Sequence, residues 1–132
     1  MNEKLLYEND EYSLFYLYEQ PVLKNRQTEK EHYLRKHYGD PCCGLIDRNN
    51  KICVVGGQGL NIIKLDDFSS IDKLDGLFIH SIKQEDNEIK ILIDPWSDDS
   101  GIWSLEIETL VLKKISNDPD LRNCEYKEEV DF

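Results

Sequence analysis

None of the hydrophobic stretches in the 132-residue chain approaches the roughly 18–20 residues that a membrane-spanning helix needs. The arrangement of a secretory leader is missing too. Glu3, Glu8, Asp10 and Glu11 stand where a basic start and an unbroken apolar stretch would lie, so a cytoplasmic protein is expected. Positive charge is scarce: 16 Lys and Arg face 27 Asp and Glu, leaving a net charge of -11. A field of that sign repels phosphate backbones and anionic lipid and attracts basic surfaces. The expected partner is therefore a basic protein, with neither nucleic acid nor membrane.

Motifs for cofactor chemistry are also lacking. Gly56-Gly57-Gln58-Gly59 follows an apolar run, but no Lys-Ser/Thr comes after it and the next segment does not read as helix. The phosphate-loop and dinucleotide fingerprints both fail, and the glycines read as a hairpin turn. No cofactor is expected. The aspartates of Asp94-Pro95-Trp96-Ser97-Asp98-Asp99-Ser100-Gly101 do not have calcium-loop spacing, and Asx-turns account for them.

The four cysteines, Cys42, Cys43, Cys53 and Cys124, are expected as reduced thiols. Adjacent cysteines on a strand point to opposite faces, which argues against Cys42 and Cys43 sharing a zinc site, and no metal is expected. A Cys/His group including His37 is the alternative route to an enzyme or a metal- or ligand-binding protein. His32, His37 and His80 do not cluster in sequence. No nucleophile elbow or catalytic triad order is visible, and no catalytic residue is assigned.

What is present reads as β-structure on the scale of a single domain, residues 1–132. Tyr12 to Tyr18 is a short aromatic-rich strand, with Leu5 to Tyr7 as a partner or a frayed start. Cys43–Asp47 and Ile52–Gly56 flank Arg48-Asn49-Asn50-Lys51 as a hairpin. Leu60–Leu65 is the next strand, and in the polar connection over 66–76 the i, i+3, i+6 spacing of Phe68, Ile71 and Leu74 suits a helical turn. Leu77–Ile82 and Ile89–Ile93 make a second hairpin about the tip at 83–88. Residues 102–107 alternate, with Trp103, Leu105 and Ile107 inward and Ser104 and Glu106 outward. Leu110–Ile115 pairs with or continues them, and Asn117-Asp118-Pro119 breaks the strand.

Thr28 with Glu31 resembles a capping box, so one helix is expected over residues 27–38. The expected fold is mostly β (α+β): an antiparallel sheet, small sandwich or half-barrel of seven to eight strands plus that helix. Residues 117–132 are expected to be a last edge strand or a mobile acidic tail.

The charge is unevenly spread. Residues 94–132 hold eleven acids and four bases, so most of the negative excess lies in the last third. The composite expectation is an acidic protein-binding module. In general character it suits a bacterial immunity protein that covers the active-site cleft of a basic toxin, such as a nuclease. The expected contact residues are Trp96, Asp98, Asp99, Glu106, Glu108, Glu125, Glu128, Glu129 and Asp131. The module would be a monomer or homodimer; a structural subunit of a β-rich oligomer is a further alternative.

Overall fold

The computed structural model describes residues 3–36 and 41–132. It holds ten strands in two antiparallel sheets, and no helix among the described residues. Accordingly, no described helix is long and apolar enough to cross a membrane. The first sheet is a meander of β1 (Glu3–Glu8), β2 (Tyr12–Leu17), β3 (Gln20–Asn25) and β4 (Glu31–Tyr33). The second is a six-stranded meander of β5 (Cys43–Ile46), β6 (Ile52–Lys64), β7 (Ser70–Glu85), β8 (Glu88–Ile93), β9 (Gly101–Glu106) and β10 (Leu112–Ser116). Within each sheet every strand pairs with its neighbours in sequence, as short connections require.

The central element is β6. One face of it, Ile52, Val54, Leu60 and Ile62, joins Ile79, Ile89, Ile91, Ile93, Leu105 and Ile107 in the larger core. The other face, Cys53, Val55 and Ile63, joins Tyr12, Leu14 and Leu23 of the small sheet in a second core. A strand buried on both sides carries apolar residues at both parities, which explains the unbroken run Ile52-Cys53-Val54-Val55.

The expected turn at residues 57–59 is therefore a correction, because β6 runs straight through its glycines. Gly56 serves close approach instead, and Gly59, at φ 91, takes a left-handed backbone at the bulge against β7. A Cβ on Gly56 would lie 2.7 Å from Ile79 Cγ2 and 2.9 Å from Cys43 Sγ. Likewise, a Cβ on Gly44 would lie 2.6 Å from Leu14 Cδ2, so a bare backbone in β5 lets the small sheet settle onto the large one.

Bulges coil the large sheet. Between β6 and β7 the register jumps from Gln58↔Phe78 to Leu60↔Lys73, and between β7 and β8 it slips at His80. The coiling brings the two ends of the meander together: Lys51, in the β5–β6 turn, ion-pairs with Glu108, in the β9–β10 turn.

The helix expected at 27–38 is also corrected. Asn25 Oδ1 accepts hydrogen bonds from the backbone N–H of Gln27 (2.9 Å) and Thr28 (3.0 Å), closing an Asx-turn. Asn25 N–H then donates to the Lys30 carbonyl at 2.9 Å, and the chain returns as β4. His32 stacks flat on Phe68 at 3.8 Å, and Leu34 packs on the second core, so this segment alternates with period two. His37 and Tyr38 lie outside the described residues. The helical turn expected around Phe68 and Ile71 is instead a turn leading directly into β7.

The expected hairpins at 43–56 and 77–93 are present, the second turning at Asp86-Asn87. β9 and β10 pair as antiparallel neighbours, and the chain leaves β10 before Asn117.

Candidate protein-binding surface

The inner face of the small sheet supplies Tyr12, Leu14 and Leu23 to the second core. Its outer face carries a second set of apolar side chains, with Val22 buried at 4% and Leu5, Tyr18 and Tyr33 exposed around it. Register places Leu5 opposite Phe15, Phe15 opposite Val22, and Val22 opposite Tyr33. One apolar side chain from each of four strands thus stands in a single row. At the usual spacing between strands the row is about 14 Å long.

The slip in register between Leu5 and Tyr7 makes this possible. It lets Leu6 and Tyr7 both turn toward the buried side, where they pack on the core, while Leu5 stays outside. The row is open at its ends, with Leu5 61% and Tyr33 71% exposed.

Leu17 and Tyr18 extend the row at the β2–β3 turn. Tyr18 has φ 57 and is 70% exposed. A bulky residue in the left-handed region is uncommon, and turns normally give such positions to Gly or Asn. Here the strained backbone holds an aromatic ring out beside the row. A groove of about 430 Å³ runs along this face, lined by Phe15, Leu17, Tyr18, Val22 and Tyr33. Glu3, Glu19 and Glu31 rim it, against a single lysine, Lys36. An aromatic, partly preordered centre inside a charged rim is the anatomy of a protein contact.

The sequence-predicted residues fall into two groups. Trp96 is not a free anchor but a clasp for the tail. Its ring lies between His80 (centroids 5.8 Å apart) and Tyr126 (4.9 Å), and its Nε1–H donates to the Cys124 carbonyl at 3.1 Å. Burial lowers the pKa of His80, an effect that Asp94 partly opposes.

Asp98 binds Arg122 at 3.1 Å, and Arg122 also holds Asp120 at 2.8 Å, keeping the Asp120 carboxyl below its ordinary pKa. Asp99 is exposed in the same loop. The tail then carries exposed Glu125, Glu128, Glu129 and Asp131 toward Lys83, whose ammonium lies over the Phe132 ring at 4.6 Å. The structure therefore ties Trp96 and Asp98 to the start of the tail, through Cys124, Tyr126 and Arg122.

Glu106 and Glu108 are not part of that group. Glu106 sits at the far end of β9, opposite Glu88, roughly 17 Å along the strand from the Trp96 loop. Glu108 is the partner of Lys51. Replacing Tyr126 with Ala is expected to cost about 0.5–1.5 kcal/mol of stability and to loosen the tail. Trp96 emission should then shift to longer wavelength and become easier to quench, and an unchanged spectrum would contradict the clasp.

Among the described residues, Cys53, Cys124, His32 and His80 lie apart from one another. Cys53 is buried in the second core, where desolvation pushes its thiol pKa far up. Cys124 is exposed on the tail, and His32 and His80 are engaged with Phe68 and Trp96. Among the described residues no three His, Cys, Asp or Glu side chains are grouped to hold a metal ion. Cys42 and Cys43 do come together, contrary to the opposite-face expectation, because Cys42 precedes the first residue of β5.

No protein-family model matches the chain, and the search of curated proteins finds no match. The functional reading therefore rests on the surface itself.

Proposed function

We propose that this chain is an acidic protein-binding domain that holds a basic partner on the outer face of its small sheet. The row Leu5–Phe15–Val22–Tyr33, in register across four strands and rimmed by Glu3, Glu19 and Glu31, carries the proposal. In the finer reading the partner is a bacterial toxin domain such as a nuclease, and the domain acts as its immunity protein by covering the basic active-site cleft.

The remaining acids do not need to touch the partner. A net charge of -11 attracts a basic surface over distances near the Debye length, about 8–10 Å in ordinary salt, and so raises the encounter rate. The aromatic row supplies the desolvated centre that slows dissociation. A second copy of the chain fits the face less well, since pairing it with itself would bring Glu3, Glu19 and Glu31 toward their own kind.

The test is capture of a partner by the native chain and by a Phe15→Asp, Tyr33→Asp double variant. The native chain is expected to retain a basic protein that salt elutes, and the variant to lose it, with affinity down about a hundredfold or more. Reversing Glu3, Glu19 and Glu31 to Lys should slow association about tenfold at low salt. Equal capture by the native chain and the double variant would reject this face.

A further inference from the structure

Cys42 and Cys43 have a geometry that the binding role does not use. Their sulfurs lie 3.9 Å apart, within reach of a hydrogen bond and well beyond bonding distance. Both are held before any ligand arrives. Cys42 Sγ donates to the Ile79 carbonyl and lies 3.6 Å from the Gly56 carbonyl. Cys43 Sγ fits beside Gly56 only because that residue has no Cβ, which would stand 2.9 Å from the sulfur.

Backbone pairing fixes the rest, with Cys42 N–H donating to Gly56 O at 2.9 Å and Cys43 standing opposite Gly56 in the β5–β6 ladder. Cys42 is an exposed residue and Cys43 a half-buried one, so the pair lies near the surface at the start of β5. The contact between the sulfurs splits their acidities. It lowers the pKa of Cys42 and raises that of Cys43, which burial raises further.

We propose that Cys42 and Cys43 form a preorganised two-sulfur site for soft, thiophilic cations of the copper(I) and arsenic(III) class. Thiolate sulfur selects soft ions of this kind. Structural zinc would need four ligands, and the described residues provide no group of three. An ion satisfied by two sulfurs fits, and the fixed rotamers reduce the ordering cost of chelation.

Phenylarsine oxide is the probe, because its arsenic takes two sulfurs. Two As–S bonds form, the As–O bond breaks, the oxygen leaves as water with both thiol protons, and arsenic remains trivalent.

The full native chain is expected to bind one equivalent, to keep it in excess mercaptoethanol, and to release it to dithiothreitol. Cys42→Ser should abolish that retention while the circular dichroism stays unchanged, and Cys53→Ser and Cys124→Ser should preserve it. The native chain should also bind at least about tenfold more tightly than the urea-unfolded chain, since unfolding releases both rotamers. Retention by Cys42→Ser, or equal affinity in the unfolded chain, would overturn the proposal.

Discussion

Ile62→Ala and Ile63→Ala should each destabilise the fold by about 2–5 kcal/mol in urea unfolding, although the two residues are adjacent on one strand. In a sheet with one face in water, neighbouring positions behave oppositely, one costly to truncate and the other nearly neutral. Here Ile62 is fully buried in the larger core and Ile63 is 1% exposed in the core shared with the small sheet. Each truncation removes three carbons and leaves a cavity in a different layer, so the double variant should approach the sum of the two effects. A near-neutral Ile63→Ala would mean that the small sheet does not pack on β6, and the outer row would lose its platform.

The second large effect is at Asp47, whose side chain is 1% exposed in the β5–β6 turn. Its Oδ1 accepts from the backbone N–H of Lys51 at 2.6 Å and of Ile52 at 2.7 Å, and its Oδ2 from Asn49 at 3.0 Å. Three backbone donors at the entry to the central strand thus depend on one carboxylate. Asp47→Ala leaves them without that partner and is expected to cost about 3–5 kcal/mol. Asp47→Asn keeps one carbonyl oxygen for Lys51 and Ile52 but turns an amide donor toward Asn49, and about 1–2 kcal/mol is expected. Comparing the urea midpoints of the two variants checks the assignment. Equal, small losses would show that the turn is held by its backbone bonds alone.

The hairpins were legible because their signals are local. Asn49-Asn50 between apolar runs, and alternation in Ile89-Lys90-Ile91-Leu92-Ile93, each require only a few adjacent residues. The helix expected at 27–38 failed because the cue used, Thr28 with Glu31, competes with a stronger local alternative. Asn25 bonds Gln27 and Thr28 first, and the segment has too little helical apolar face to resist. The glycines at 56–59 were misread because a turn, a bulge such as that at Gly59 and a close approach such as that at Gly56 all demand the same residue. Only the positions of Ile79 and Cys43 beside Gly56, and the register of β7 beside Gly59, distinguish them.

The outer row was missed for a different reason. Leu5, Phe15, Val22 and Tyr33 contribute one residue per strand, so no single segment announces the row. A signal was nonetheless present in Tyr12-Ser13-Leu14-Phe15-Tyr16-Leu17-Tyr18, where both parities are largely apolar or aromatic. A strand of that kind at the outside of a fold has a second face to account for. Trp96 was identified as an aromatic of interest, but its partners His80, Cys124 and Tyr126 are 16 to 30 positions away and only folding brings them to it.

Side-chain footprinting by hydroxyl radicals, on the free chain and on its complex with the captured basic partner, tests the binding surface most directly. Tyr18 and Tyr33 are the exposed aromatic reporters of the small sheet, and Trp96 and Tyr126 report the tail clasp. Strong protection of Tyr18 and Tyr33, with Trp96 and Tyr126 unchanged, is the predicted result. Protection confined to Trp96 and Tyr126 would place the partner on the acidic tail and contradict the assignment of the sheet face.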